Sequence, residues 1–501
     1  MRSSTLPSTL RGAAWRGLAL LASASCAQIT GTPRLARDER AALRHAIDSM
    51  LAAPETRHAR WGVLIVDPDR GDTLYSRDAG KLFVPASNMK IITSAFALET
   101  FGPAYRFETQ IRAGGPVRDS VVDGNLLVQG RGDPSVSDHV AGDAMLPLRA
   151  MADSLWQRGI RHIRGRVIPF GDAFPDAHAG FGWGWDDLDE PYGATVDELL
   201  FNEGFAELHI RAGRVPGDSV AVRMTPAKSF PRLRITAATV VRGSGRDSLP
   251  QITAVKDTLR GDVVLSGTIP AGDSATVAVT FRDPREAYVS ALTEALRDRG
   301  ITIADSAFAP DTSGDLLMIA FSPPMSQVLA AFMKPSQNQI GEMLFKAIAL
   351  TRTDTGSARI ARRLVSEQLR AWGAEPDGFI VWDGSGLSRR DMISPETVVR
   401  VLTAMRRSPQ FQSYFDAFPV AGVDGTLSTR MRGTPAEANV RGKTGTLGNV
   451  RSLSGYVTTA GGGQLIFSVL CNNYLTPTAY VTRVQDSIAV RLSRLTVRSA
   501  R

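Results

Sequence analysis

Two residues near the start of a predicted helix could together perform nucleophilic catalysis. They belong to the motif Ser87-Asn-Met-Lys90. Residues i and i+3 of a helix lie one turn apart on the same face, so Lys90 can reach the Ser87 hydroxyl. A serine hydroxyl is a weak nucleophile until a base takes its proton, and a lysine can be that base when burial or neighbouring positive charge lowers its pKa. The motif predicts a serine nucleophile, although Ser-x-x-Lys alone occurs in many helices.

Two further motifs add the groups that such a nucleophile needs. Ser336-Gln-Asn338 opens another predicted helix, where its hydroxyl and amide could point into a cleft or simply cap the helix. Lys443-Thr444-Gly445 lies on a strand pattern, and a surface turn is the alternative interpretation. In a site, the lysine would supply a cation for a carboxylate, the threonine a donor, and the glycine room for a close backbone approach. The three motifs together predict one active site.

Secondary-structure patterns at both ends of the chain are expected to position these motifs. Helical periodicity over 38–54 is followed by strand patterns at 61–66 and 73–76. The last third has strand patterns at 452–459 and 464–471, followed by an amphipathic helix. Strands at both ends with helices between them predict an α/β sandwich whose sheet pairs the two ends of the chain.

The middle of the chain has a different pattern of residues. Across residues 104–315, short β-rich runs alternate with glycine- and proline-containing turns. We interpret this region as one large, mostly β insertion with two subdomains. It would split a single domain formed by residues 38–103 and 316–501.

The N-terminus has the order of an export signal. Basic residues precede the apolar run 17–22 and a group of small residues, so residues 1–27 are predicted to be a signal peptide. Cys26 leaves lipidation open, and membrane attachment is expected only in that case. The second cysteine, Cys471, lies in an apolar run and predicts a lone buried thiol without a disulfide framework.

Composition and histidine positions exclude several other classes. The 501 residues are 43% hydrophobic and 22% charged, as in an ordinary globular protein. The net charge of +8 is diffuse, and no DNA- or RNA-binding pattern accompanies it, so a nucleic-acid partner is not expected. None of the six histidines follows Ser336, which argues against a Ser-His-Asp triad. No His or Cys spacing suggests a metal site, and no cofactor is expected.

The three motifs in this order resemble the signature of penicillin-binding proteins and serine β-lactamases. More specifically, the chain is similar to the D-alanyl-D-alanine carboxypeptidase/endopeptidase family, the low-molecular-mass class C penicillin-binding proteins. The segments that carry this resemblance are Pro85-Ala-Ser-Asn-Met-Lys90, Lys334-Pro-Ser-Gln-Asn-Gln339, Asp383-Gly-Ser-Gly-Leu-Ser388 and Gly442-Lys-Thr-Gly-Thr446. The long interval between the first two motifs also fits that family, because serine β-lactamases carry the second motif sooner. The implied fold is a penicillin-recognising, serine transpeptidase-like α/β sandwich split by a large insertion.

The resemblance also implies catalytic roles. Ser87 would attack the carbonyl between two D-alanines of a cell-wall peptide, with Lys90 as its base. Ser336, with Lys443 behind it, would return a proton to the leaving amine, and Asn338 would hold the peptide carbonyl. The expected enzyme is a serine-type D-Ala-D-Ala carboxypeptidase, endopeptidase or both, located in the periplasm or cell envelope.

Substrate contacts follow from the same resemblance. Lys443 and Thr444 would bind the terminal carboxylate, Gly445 would admit the substrate backbone, and the backbone N–H groups of Ser87 and Thr446 would form an oxyanion hole. Asp133, in the insertion, would face the amine of the peptide's diamino acid, although an aspartate before proline also suits a tight turn. The expected partners are peptidoglycan peptides, with β-lactams as inhibitors.

Two other segments and two alternative functions complete the expectations. Residues 383–388 are predicted to shape the cleft wall, and residues 183–187 to pack the insertion against the core. A β-lactamase or esterase of the same fold, or a non-catalytic envelope scaffold, stays an alternative. Prolonged acylation by penicillin would argue against the first, and product formation against the second.

Overall fold

A computed structural model describes residues 35–226, 231–256, 262–308 and 314–498 of the chain. The predicted signal peptide, including Cys26, lies outside these ranges. Among the described helices, none has both the length and the apolar character that crossing a bilayer requires.

A five-stranded antiparallel sheet joins the two ends of the chain. The N-terminal strand Arg60–Asp67 pairs with the C-terminal strand Gln464–Asn472 over the register Arg60↔Asn472 to Val66↔Ile466. The strands follow one another across the sheet in the order Asp72–Arg77, Arg60–Asp67, Gln464–Asn472, Val450–Thr458 and Arg441–Leu447. The predicted pairing of the two chain ends is therefore confirmed.

Helices cover both faces of this sheet, so its central strand Gln464–Asn472 is buried along nearly its whole length. Helices Arg37–Leu51 and Thr478–Ser493 pack on one face. The other face lies against a larger helical layer, formed by Met89–Phe101, Met325–Met333, Asn338–Leu350, Ala358–Ala371, Pro395–Arg407 and Phe411–Asp416. This arrangement is the predicted α/β sandwich. Cys471, on a central strand, is a free and buried thiol, as predicted.

Helix Met89–Phe101, which we call the Lys90 helix, runs through the centre of the helical layer. It is apolar on nearly all sides, and nine of its residues are buried, as expected for a helix enclosed by other elements. A short 3₁₀ turn, Ala86–Asn88, precedes it and carries Ser87. The helix ends at Gly102, whose φ of 76° suits glycine, and Pro103 follows.

The middle of the chain forms separate sheets with their own cores. One sheet has the order Leu316–Phe321, Glu108–Gly114, Asn125–Gln129 and Val167–Phe170, and helices Met145–Gln157 and Pro284–Asp298 pack in the same core. Strand Leu316–Phe321, which we predicted to follow the insertion, thus pairs with a strand inside it. The division into domains stays a prediction.

A second apolar core lies further along the insertion. Its sheets comprise Phe205–Arg211 with Ala221–Thr225 and Ser274–Thr280, and Val263–Pro270 with Leu233–Ile235, Ala238–Val240 and Gln251–Lys256. Small sheets are formed by Val117–Arg118, Val121–Val122, His162–Ile163 and Thr302–Ile303, and by Phe379–Ile380 with Met392–Ile393.

Candidate active site

The first motif is arranged as its spacing predicts. Ser87 lies on the 3₁₀ turn and Lys90 in the first turn of the Lys90 helix. Lys90 Nζ lies 2.8 Å from Ser87 Oγ, within hydrogen-bond reach. Lys90 is fully buried, and its Nζ also donates to Asn338 Oδ1 at 2.6 Å and to the Ser385 carbonyl at 2.8 Å. The base candidate is thus fixed on three sides, one of them the nucleophile.

The second motif lies beside the first. Ser336 has a φ of 71°, an uncommon value outside glycine, and the turn it makes leads into the helix Asn338–Leu350, which we call the Asn338 helix. Asn338 Nδ2 donates to the Tyr192 carbonyl at 2.7 Å while its Oδ1 accepts from Lys90. Both polar ends of this side chain are used, which fixes the orientation of its amide.

The third motif lies on the edge strand Arg441–Leu447 of the sheet, next to Ser87. Lys443 Nζ donates to Ser336 Oγ at 2.8 Å, and Thr444 Oγ1 donates to Thr426 Oγ1 at 2.7 Å. A side chain does not fit at Gly445, because a Cβ there would overlap Ser452 Oγ and lie 2.9 Å from the Ser87 backbone nitrogen. The strand can pass this close to the nucleophile only because position 445 is glycine.

One buried side chain joins the first motif to the third. Asn88, which directly follows Ser87, is fully buried, and its Nδ2 donates to the Lys443 carbonyl at 2.8 Å. The turn that carries the nucleophile is thereby fastened to the strand that carries the substrate-binding residues.

Burial controls the charge of both lysines. Burial lowers the pKa of Lys90 to about 7, against the opposing effect of the Asp383 and Glu342 carboxylates. Burial and the nearby Lys90 together hold the pKa of Lys443 well below its ordinary value. A lysine with a pKa near 7 can be neutral, and therefore a base, at physiological pH.

The three motifs line a single cavity of about 830 Å³. Its lining includes the polar groups Ser87, Ser336, Asn338, Thr444 and Thr446. Fully buried Lys90 and Lys443 lie behind the serines rather than on the cavity surface. The volume is within the usual range for small-ligand sites and would accommodate a short peptide.

The loop of residues 383–388 forms one wall of the cavity through Gly386 and Leu387. The Asp383 carboxylate accepts the N–H groups of Gly386 at 2.6 Å and Ser388 at 2.7 Å, which closes the loop on itself. The loop is therefore built as a rigid wall, in agreement with the expectation, and its Ser385 carbonyl contacts the candidate base.

A segment of the insertion, residues 180–194, forms a second wall, which we call the arch. Trp183 Nε1 donates to Asp383 Oδ2 at 3.0 Å, and Gln339 Nε2 donates to the Pro191 carbonyl at 2.9 Å. Phe181 stacks on Trp382 with ring centroids 4.6 Å apart. The arch therefore packs the insertion against the core through Phe181 and Trp183, whereas Trp185, in the segment predicted to pack, is 86% exposed.

The arch also reaches the cavity, which the sequence patterns did not reveal. Asp186 and Asp187 line it, and the Asp187 carboxylate accepts from the Tyr192 hydroxyl at 3.0 Å. Arg389, which carries the opposite charge, also lines the cavity. The sequence shows residues 183–187 as a cluster of charged and aromatic residues, but only the tertiary packing brings that cluster to Ser87.

Asp133 occupies a different place. It is buried and lines a second cavity of about 650 Å³, whose other lining is mainly apolar. Its Oδ1 accepts the Ser135 N–H at 2.8 Å, the turn-forming bond expected of an aspartate before proline. Burial raises the pKa of Asp133 to about 6. The structure does not bring Asp133 to the Ser87 cavity, and its predicted substrate contact stays a prediction.

Comparison with known families identifies the chain. Residues 43–495 match the model of the D-Ala-D-Ala carboxypeptidase 3 (S13) family. The chain belongs to this family. Since S13 enzymes are serine-type D-Ala-D-Ala carboxypeptidases, the chain is a serine peptidase, and the resemblance drawn from the three motifs is confirmed.

Individual relatives agree with the S13 assignment. A D-alanyl-D-alanine carboxypeptidase of an Actinomadura species (strain R39) is 34% identical, over 97% of this chain and 88% of that protein. The D-alanyl-D-alanine carboxypeptidase DacB of Haemophilus influenzae is 29% identical, over 83% of this chain and 86% of its own.

A solved structure shows the same fold. The crystal structure of penicillin-binding protein 4 from Haemophilus influenzae superposes with a TM-score of 0.75, at 24% identity, over 89% of this S13 chain and 99% of that one. The expected penicillin-binding-protein fold is therefore confirmed.

Proposed function

We propose that this S13 protein cleaves D-Ala–D-X bonds of peptidoglycan peptides, as a carboxypeptidase, an endopeptidase or both, through an acyl-enzyme on Ser87. The observation that carries the proposal is the 2.8 Å contact between Ser87 Oγ and the Nζ of the fully buried Lys90. The names of the Actinomadura and Haemophilus relatives support the same activity.

The first half of the reaction forms the acyl-enzyme. Neutral Lys90 takes the hydroxyl proton as Ser87 Oγ bonds to the carbonyl carbon, and the carbonyl oxygen becomes an oxyanion. The backbone N–H groups of Ser87 and Thr446 stabilise that oxyanion. The close approach of Gly445 to the Ser87 nitrogen supports this role, because it brings the strand that carries Thr446 beside Ser87.

The second half releases the products. Ser336 gives its hydroxyl proton to the leaving amine as the C–N bond breaks, and Lys443, 2.8 Å behind it, replaces that proton. A water molecule then attacks the ester carbonyl and gives one proton, through Ser336, to the amine of Lys443. Cleavage of the ester returns the proton held by Lys90 to Ser87. Asn338 holds the peptide carbonyl with the second N–H of its Nδ2, while its Oδ1 keeps Lys90 in place.

The charged lining of the cavity supports the binding of a peptide substrate that has both carboxylate and amine groups. Thr444 and Thr446, with Lys443 behind them, bind the terminal carboxylate. Asp186 and Asp187 are the carboxylates that line this cavity, so the amine of a diamino acid would meet them before Asp133.

The relatives also support β-lactam binding and a location in the cell envelope. Penicillin-binding protein 4 of Haemophilus influenzae has been solved with a β-lactam bound. A β-lactam would acylate Ser87 as a peptide does. Because the peptide substrate lies in the cell wall, the enzyme must be exported, and residues 1–27 provide the predicted signal.

Intact-mass spectrometry of the purified protein with benzylpenicillin, followed over hours, tests the proposal. We expect a lasting gain of one penicilloyl group, mapped to the peptide that contains Ser87, and none in Ser87→Ala. Ser94→Ala is the matched control, because Ser94 is buried on the same helix and its hydroxyl donates to the Lys90 carbonyl. Penicillin consumed without an adduct would favour a β-lactamase, and no adduct with penicillin intact would favour a scaffold.

A further inference from the structure

A buried carboxyl group lies beneath the catalytic residues and belongs to none of the three motifs. Glu342 is on the Asn338 helix, one turn after Asn338, and only 3% of it is exposed. Its Oε1 accepts two backbone N–H groups, from Gly384 at 3.1 Å and from Ser385 at 2.8 Å. Burying a carboxyl group costs free energy unless it is hydrogen-bonded, so Glu342 needs these two partners. In return it fixes the backbone that supplies them.

The same stretch of backbone touches the base. The Ser385 carbonyl accepts from Lys90 Nζ at 2.8 Å, and Ser385 N–H is the donor to Glu342. The Asn338 helix thus holds Lys90 in two ways, directly through Asn338 Oδ1 and indirectly through Glu342 and Ser385. The third neighbour of Nζ is the nucleophile Ser87.

The number of neighbours matters for the chemistry of a base. A neutral lysine amine has two N–H bonds and one lone pair, whereas the ammonium has three N–H bonds. Two of the three neighbours of Lys90 Nζ, Asn338 Oδ1 and the Ser385 carbonyl, can only accept hydrogen bonds. When both N–H bonds of the neutral amine point at these oxygens, its lone pair points at the Ser87 hydroxyl.

We propose that Glu342 is a positioning residue that holds the Ser385 carbonyl against Lys90, so that the lone pair of the neutral amine is aimed at Ser87. This inference rests on the proposed function, because it requires Lys90 to act as the base. The neighbouring Asp383 carboxylate closes the loop from the other side through Gly386 and Ser388. Among the described residues, Glu342 is the one whose side chain accepts the N–H of Ser385, the residue whose carbonyl contacts Lys90.

Two substitutions separate positioning from general stability. Glu342→Ala removes the acceptor of both N–H groups, and Glu342→Gln keeps an Oε1 acceptor without the carboxylate. We expect Glu342→Ala to slow acylation by a fluorescent penicillin roughly 100-fold, the scale of a misplaced general base, with unchanged pre-covalent affinity. Glu342→Gln should recover the rate to within about tenfold of the wild type.

The control is Gln485→Ala, which deletes a buried amide on the distant helix Thr478–Ser493. It should destabilise the protein without slowing acylation. The inference is overturned if Glu342→Ala acylates at the wild-type rate, or if Glu342→Gln is as slow as Glu342→Ala. Failure of the proposed function is distinguishable, because the wild-type protein itself would then form no adduct on Ser87.

Discussion

Lys90 and Lys443 are both fully buried, and each places its Nζ 2.8 Å from the hydroxyl of a different serine. Burial lowers the pKa of both amines, and the charge of Lys90 lowers that of Lys443 further. Two neighbouring buried ammonium groups repel one another, so the site favours a state with at most one of them charged. At least one of the two amines is then free to take a proton.

The rate of acylation should depend on pH through Lys90. The base must be neutral, and burial lowers the pKa of Lys90 to about 7. Below that pKa each unit of pH reduces the neutral fraction about tenfold, so the second-order rate of acylation by benzylpenicillin should fall as pH falls from 7 to 5 and level off above about 8. Stopped-flow measurement of that rate against pH checks the sign. A flat profile across this range would rule Lys90 out as the titrating base.

Gly445→Ala should separate the edge strand from the nucleophile. The new Cβ would lie 2.8 Å from the Pro85 carbonyl and 2.9 Å from the Ser87 nitrogen, so the strand must move and the oxyanion donors move with it. We expect acylation to slow by roughly 100-fold or more, the cost of losing an oxyanion donor. Gly80→Ala is the control, because the nearest atom to its Cβ would be a flexible Glu396 carboxylate oxygen at 3.5 Å. Equal rates in the two variants would contradict the close approach.

Arg451 should strengthen selection for a free terminal carboxylate. Its Nη1 donates to Thr446 Oγ1, across the strand pair, which leaves the threonine hydrogen free to donate to substrate. Arg451→Gln should raise KM roughly tenfold for a peptide ending in a D-Ala carboxylate and much less for the corresponding amide. Steady-state kinetics on the two peptides measures this preference. If the variant weakens both peptides equally, Arg451 does not act through the carboxylate.

Asp186 and Asp133 can be told apart by the substrate's amine. Asp186 lines the Ser87 cavity, whereas Asp133 lines the second cavity. Asp186→Asn should raise KM several-fold for a peptide whose third residue carries a free side-chain amine, about the worth of one exposed charge pair, and leave an acetylated peptide unaffected. Asp133→Asn should change neither. The opposite result, an amine-dependent effect only in Asp133→Asn, would restore the role first expected for Asp133.

The local spacing of Ser87 and Lys90 was enough to predict their contact, because i and i+3 on a helix are neighbours whatever surrounds them. The pairing of the two chain ends was also predictable, since strand patterns at both ends had to bury their apolar faces against something. The order of the three motifs was enough to predict the protein family. These inferences depend on short-range geometry and on residue type, and both are written in the chain.

Other features depended on how distant segments pack. No periodicity relates Asp186 in the arch to Ser87, and their cavity exists because Trp183 and Gln339 fasten the arch to the core. Asp133 had a suitable residue type but a different location. The role of Glu342 depended on tertiary structure most of all, because an ordinary glutamate in a helix pattern became a buried acceptor only when residues 383–388 folded over it. Hydrogen bonds between segments far apart in sequence have no local signal, so only the tertiary structure decided them.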